Sequence, residues 1–216
     1  GDDHVKIGFN GIDIKDGSDT SVKIGPGFNV KVDDGNTKIN GGLFNKGIFF
    51  NNKNSIKKNI DEEKVEDIKS IKNIDVATPF VDVNIIPEER EGVKIHYKGY
   101  LEATYIPKLE TKKSGDTLYI MAKKDGLKSY SVYNTDLKLN VYVPIDFKDR
   151  IKIATSSGNI KISQLELSDL ILTASSGDIK IYDLISDSLS IETFSGDQEV
   201  KNVTSNESKF LASSGD

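Results

Sequence analysis

Four glycines, Gly158, Gly177, Gly196 and Gly215, recur every 19 residues, each preceded by a serine (Ser157, Ser176, Ser195, Ser214) and followed by Asn159, Asp178, Asp197 or Asp216. If the repeats stack as rungs, these acids lie about 4.8 Å apart. Carboxylates so close repel, and a calcium ion bound through oxygen ligands would relieve them. The same word is also turn chemistry: glycine reaches positive φ, and Ser, Asn and Asp hydrogen-bond the neighbouring backbone. Turn geometry accounts for the whole word, so no metal ligand is assigned. The serines lack a GxSxG elbow, and the two imidazoles, His4 and His96, are far apart in the chain. His96 sits in the alternating stretch KIHYK, where it is expected to face solvent. Neither a serine triad nor a multi-histidine zinc site is expected. The carboxylate pairs Glu88 with Glu89 and Asp146 with Asp149 read as solvated turn charge. Tyr97, Tyr100, Tyr105, Tyr119, Tyr130 and Tyr133 cluster in sequence and suggest either a sugar-stacking row or half-buried strand positions, the latter being where tyrosine more commonly sits. No catalytic, cofactor-binding or metal-binding residue is assigned, and no cofactor is expected.

Composition narrows the function classes. With 29 basic and 34 acidic residues among 216 the net charge is −5, which repels phosphate backbones and anionic headgroups, so nucleic acid is not an expected partner. Arg90 and Arg150 are the only arginines, leaving few bidentate forks for acidic glycans. There is no cysteine, hence no disulfide or thiolate chemistry, while the redox compartment stays open. No apolar run is long enough to span a bilayer. The chain begins at Gly1 and its single methionine is Met121, which predicts a removed leader or anchor upstream and membrane association only through it.

What must position these residues is the repeat itself. Counted from each glycine, Ile160, Ile179 and Gln198 form one column and Ile162, Ile181 and Val200 a second. Leu170, Leu189 and Ser208 form a third, and Leu172, Ile191 and Phe210 a fourth. One period back the columns reach Val141, Val143, Ile151 and Ile153, placing regular coils from about Leu139. Alternation within each repeat is that of strands, and 19 residues are too few for a helix pair. The reading is all-β: a single-stranded, right-handed parallel β-solenoid of 19-residue coils over residues 74–216, preceded by a Gly-rich β region. A single coil cannot offset its own ordering entropy, so coils fold together and each end needs a cap.

Upstream, residues 74–138 alternate apolar with polar and are punctuated by Gly92, Gly99, Gly115 and Gly126, an arrangement suited to starting and capping the stack. Residues 1–50 carry a weaker repeat, VKIGFNGIDIKDG against VKIGPGFNVKVDDG, with the turn pairs Asn10-Gly11, Asp16-Gly17, Asp34-Gly35 and Asn40-Gly41, and predict hairpins or narrow coils. Between them, residues 51–73 form a charged linker in which Val65, Ile68 and Ile71 recur at near-helical spacing and predict one short helix.

The words IDVATPFVDVNIIPEE, LNVYVPIDFKDRIKIATSSGNIKI and the recurring SSGD, taken together, resemble the bacterial putative-adhesin family, a domain of unknown function, over about Ile74 to Asp216. The resemblance implies an all-β solenoid held at the bacterial cell envelope or outside the cell, with no established reaction. The expected role is that of a non-enzymatic adhesin or protein-interaction scaffold with a protein or glycan surface partner. The alternatives are a glycan-binding or glycan-cleaving β-helix protein and an envelope-stress regulatory scaffold. The open end of the stack is a route to oligomers.

Overall fold

The computed structural model describes residues 4–8, 11–16, 20–24, 29–32, 37–40, 55–123 and 131–214. The chain divides into two units, Gly1–Ser55 and Ile56–Asp216. The first is an antiparallel meander of β1 (His4–Gly8), β2 (Gly11–Asp16), β3 (Thr20–Ile24), β4 (Asn29–Val32) and β5 (Thr37–Asn40), each paired with the next. Of the two forms expected for this region, hairpins are the one it adopts. Pairing closes at Gly8 with Gly11, Asp16 with Thr20 and Val32 with Thr37, so the connections fall at or beside the Asn-Gly and Asp-Gly words.

The second unit contains β6 (Ile56–Asp67), β7 (Asn73–Thr78), β8 (Asp82–Glu88), β9 (Gly92–Ala103), β10 (Lys108–Ser114) and β11 (Thr117–Lys123). It continues with β12 (Val132–Thr135), β13 (Lys138–Pro144), β14 (Arg150–Thr155), β15 (Ile160–Ala174), β16 (Ile179–Thr193) and β17 (Gln198–Ala212). Among the described residues these twelve strands make one mixed sheet. It curves into a nearly closed, barrel-like form rather than the single-stranded parallel solenoid expected for residues 74–216. The reason lies in the connections. β10 and β11 join through Gly115-Asp116, with Gly115 at φ 61, and a strand returning through a two-residue turn pairs antiparallel. β9 likewise runs antiparallel to β6, β12 and β13.

Parallel stacking at the repeat period does occur from β15 to β17. Ile160 lies on Ile179 and Ile179 on Gln198, and Leu170 lies on Leu189. Beneath β15, Ile151 and Ile153 pair with Leu170 and Leu172 as extrapolated, but Val141 and Val143 do not lie under Ile160 and Ile162. Val83 and Ile85 of β8 occupy that place, and β13 lies one strand further on. The lowest rung is therefore made of β7 and β8, with Thr78-Pro79-Phe80-Val81-Asp82 standing where later rungs have Thr155-Ser156-Ser157-Gly158-Asn159. A second correction concerns the segment 51–73: no helix occurs among its described residues 55–73, and β6 is a strand paired along its length with β9. The apolar positions Val65, Ile68 and Ile71 are split between an exposed strand site, a half-buried turn and the core.

The interior is aliphatic. Ile74, Ile95, Leu118, Leu139, Ile151, Ile160 and Leu170 are fully buried, and Tyr97 joins them with its hydroxyl donating to the Pro107 carbonyl at 3.1 Å. Burial, then Glu62 and Tyr105, push that phenol well above the ordinary tyrosine range. β15 and β16 alternate buried with more exposed residues except where they bend, and the first bend of β15, β16 and β17 falls at Gln164, Asp183 and Asn202, which hold φ of 58, 54 and 54°. These bends let one strand cover two faces of the unit: the first part of β15 pairs with β8 and its last part with β14.

The repeat glycines work differently from the sequence expectation. Gly158, Gly177 and Gly196 do not have positive φ; a Cβ at each would sit 2.0, 2.0 and 2.1 Å from the carbonyl oxygen of Val81, Gly158 and Gly177 respectively. Glycine is required because the rungs touch backbone to backbone there. We predict that Gly177→Ala destabilises the second unit by about 3 kcal/mol through this overlap. Gly115→Ala, where nothing lies within 4 Å, costs only the left-handed conformation, about 1 to 2 kcal/mol. Urea unfolding of the two variants side by side measures the difference.

Candidate interaction face

The residues singled out for chemistry are used structurally. Asp82 Oδ1 accepts from the Asn159 backbone N–H at 2.8 Å, Asn159 Oδ1 from Asp178 N–H at 2.9 Å, and Asp178 Oδ1 from Asp197 N–H at 3.1 Å. The ladder of side chains thus binds rung to rung, each oxygen meeting a backbone donor where a metal reading would have it meet a cation. Asp82, its first member, went unrecognised because Val81 hides the Ser-Gly-Asp word; the signal was the acid one place after the column position. At the bends, Asn202 Nδ2 donates to Asp183 Oδ1 at 2.9 Å and Asn206 Nδ2 to Asp187 Oδ1 at 3.1 Å, a second and third ladder.

The other candidates scatter. Glu88 pairs with Arg90 at 2.6 Å, while Glu89, Asp146 and Asp149 are exposed. Of the tyrosines, Tyr97 is core, Tyr100, Tyr105 and Tyr119 are half-buried, Tyr133 is exposed, and Tyr130 lies outside the described residues. They form no common row. His96 stands on the outer side of β9, as its alternation predicts, but two acids cover it: its side chain is 16% exposed, with Nε2 at 2.6 Å from Asp61 Oδ1 and Nδ1 at 3.6 Å from Glu63 Oε1. Both acids come from β6, the strand expected to be a helix, so sequence reasoning had no route to this cluster. His4 has no described side chain.

What the sheet builds instead is a broad outward face. Side by side stand β6, β9, β13, β8 and the first parts of β15, β16 and β17. Their register places Glu63, His96, Asn140 and Asn84 in one row that continues through Lys161 and Lys180 to Glu199. Asn84 Nδ2 donates to Asn140 Oδ1 at 2.8 Å. In the adjoining row Lys94 lies 4.6 Å from the Tyr142 ring centre and Lys201 lies 5.8 Å from that of Tyr182, both within cation–π range. Near the end of the face Glu199 receives a hydrogen bond from Lys201, another from Tyr182, and pairs with Lys180 at 3.6 Å. The bonds from Lys201 and Tyr182 hold the Glu199 carboxyl down at about 2 and raise Lys201, while Glu199 raises Tyr182. No group of three or more metal-ligating side chains occurs among the described residues.

A family model, Toastrack DUF4097, matches residues 71–216, which covers every rung of the stack. The chain belongs to this family. No curated protein matches the sequence. Among solved structures, this Toastrack chain is similar to a putative cell adhesion protein from Clostridium sporogenes, with TM-score 0.57 and 14% identity over 73% of this chain and 97% of that one. A putative adhesin from Bacteroides fragilis also matches, with TM-score 0.36, 12% identity and coverage of 74% and 97%. A putative adhesin from Parabacteroides merdae gives TM-score 0.36, 15% identity and coverage of 76% and 80%. At these identities the first of the three supports the fold alone.

For the Glu199 cluster the direction of pH dependence follows from the depressed carboxyl. Its contribution is present above the ordinary glutamate range and is lost as pH falls toward 2. We expect the Glu199 carboxyl carbon to titrate by NMR at about 2, and Glu199→Gln to lower the Tyr182 midpoint toward 10.0. A Tyr182 midpoint unmoved by the substitution would contradict the assigned hydrogen bond.

Proposed function

We propose that this chain is a non-enzymatic binding domain of the bacterial envelope, an adhesin or interaction scaffold whose broad sheet face receives a protein or glycan surface. One observation carries the reading: Asp82 and Asp178 at the corners each accept a backbone N–H of the next rung, while Lys161, Lys180 and the Lys-covered Tyr142 and Tyr182 stand on the outward side of a continuous strand platform. Such a platform offers many weak polar contacts over a large area, the pattern of recognition rather than of a reaction centre. The family and the adhesion name of the Clostridium sporogenes structure support the same role.

The test combines place with binding. Antibody labelling of intact cells reports exposure at the envelope, and screening the purified chain on a glycan array and against immobilised surface proteins reports the partner. Tyr142→Ala combined with Tyr182→Ala is expected to weaken the captured interaction roughly tenfold, about 1.4 kcal/mol, with the unfolding midpoint little changed. Cleavage of an oligosaccharide by the purified chain would refute the non-enzymatic reading, and an antibody signal seen only after permeabilisation would refute the envelope.

A further inference from the structure

In the middle of the outward face, Asn140 pairs with Asn84, Asn84 with Lys161 and Lys161 with Lys180. These side chains stand on four adjacent strands and span about 14 Å at the usual strand spacing. Two residues further along the same strands come Tyr142, Ile86, Ser163 and Tyr182. Resting on the recognition role given above, we propose that this area binds a carboxylate-bearing glycan, a chain of uronic-acid type laid across β13, β8, β15 and β16.

Charge selects an anionic ligand. Lys161 and Lys180 are Cα partners on successive rungs, so their strands hold two like charges about 4.8 Å apart at the backbone, and the pair repels until an anion lies between them. Glu199 reaches Lys180 at 3.6 Å but is also bonded by Lys201 and Tyr182. Among the described residues no carboxylate pairs with Lys161, which is exposed; Asp82 and Asp178, diagonal to it, turn Oδ1 to backbone N–H groups. Toward β6, Lys94 pairs with Glu63 at 3.7 Å. Lysines therefore outnumber carboxylates in these two rows, although the whole chain carries −5. Lysine meets a carboxylate as a point charge and not as a fork. The scarcity of arginine thus makes the attraction weak and sensitive to salt, and leaves its sign unchanged.

The amides select a sugar. Asn84 Nδ2 donates to Asn140 Oδ1 at 2.8 Å, which leaves Asn84 Oδ1 as an acceptor beside Asn140 Nδ2 as a donor. Neighbouring hydroxyls of a pyranose, each both donor and acceptor, match that pair. Asn140 is only 7% exposed, so packing holds its amide in place before a ligand arrives. Tyr142 and Ile86 supply the apolar strip beside the amides for the C–H face of the ring. An acidic peptide would also find the lysines, but extended peptides add to sheets through backbone bonds at an open edge. β13, β8 and β15 are interior here, each paired on both sides.

Titration calorimetry of the whole chain with an oligogalacturonate, and with the same oligosaccharide after its carboxyls are reduced to alcohols, tests the assignment. The uronate is expected to bind at about 0.01 M salt and to lose most of its affinity at about 0.15 M. The reduced oligosaccharide is expected to bind roughly tenfold more weakly. Lys161→Glu is expected to raise the uronate Kd roughly tenfold and Lys161→Arg to retain binding, with the unfolding midpoint of both unchanged. Lys152→Glu, exposed on β14 beside the other half of β15, is expected to leave binding as it was. Equal affinity for the reduced oligosaccharide, indifference to Lys161→Glu, polyglutamate binding as tightly as the uronate, or no uronate binding at about 0.01 M salt would overturn the carboxylated-glycan assignment. Each of these leaves standing a surface interaction that the Tyr142 and Tyr182 double variant weakens, so the two readings fail separately.

Discussion

Everything in the second unit depends on how closely one rung's backbone can approach the next. At Gly158, Gly177 and Gly196 the carbonyl of the rung below comes so near that even a methyl group is excluded. That approach allows Ser176 N–H to reach the Ser156 carbonyl and Ser195 N–H the Ser175 carbonyl, both at 2.9 Å, which carries the hydrogen-bond ladder around a corner where it would otherwise break. A corner without such bonds would leave buried backbone groups unpaired, at a cost comparable to each lost bond.

The Asp and Asn ladders follow from the same constraint. Once rungs are held in register, a short polar side chain at a turn finds the backbone N–H of the next rung within reach, and it spends its acceptor there. Chemistry and architecture compete for the same oxygens, and architecture wins. This is why the Ser-Gly-Asp words of the sequence form corners, with the flat strand face lying between them.

That face owes its breadth to a mixture of strand directions. Parallel rungs alone would place β14 and β15 beneath β16, but the antiparallel strands β9 and β6, reached through β13, extend the platform sideways. His96 is held between Asp61 and Glu63 by this extension, and Lys94 reaches both Glu63 and the Tyr142 ring. The polar rows therefore cross segments far apart in the chain, with β6 and β17 at opposite ends of one surface.

The all-β class, the vertical stacking of Ile160 on Ile179 and the turns at or beside Asn10-Gly11, Asp16-Gly17 and Asp34-Gly35 were legible in the residues, because alternation, a fixed period and turn pairs are local signals that survive without knowing any partner. The tertiary structure alone decided that β8 slips beneath β15 in place of Val141 and Val143, that β6 is a strand, and that the sheet is mixed and nearly closed. Each of those outcomes is a choice among pairing partners distant in sequence. β6 shows the reason most clearly: its apolar residues fit a helical spacing, but a full-length row of backbone bonds to β9 and side-chain bonds to β10 outweigh a weak local preference. The first rung was hidden for the opposite reason, since Val81 can stand where later rungs require glycine and so removes the mark by which the repeat is recognised.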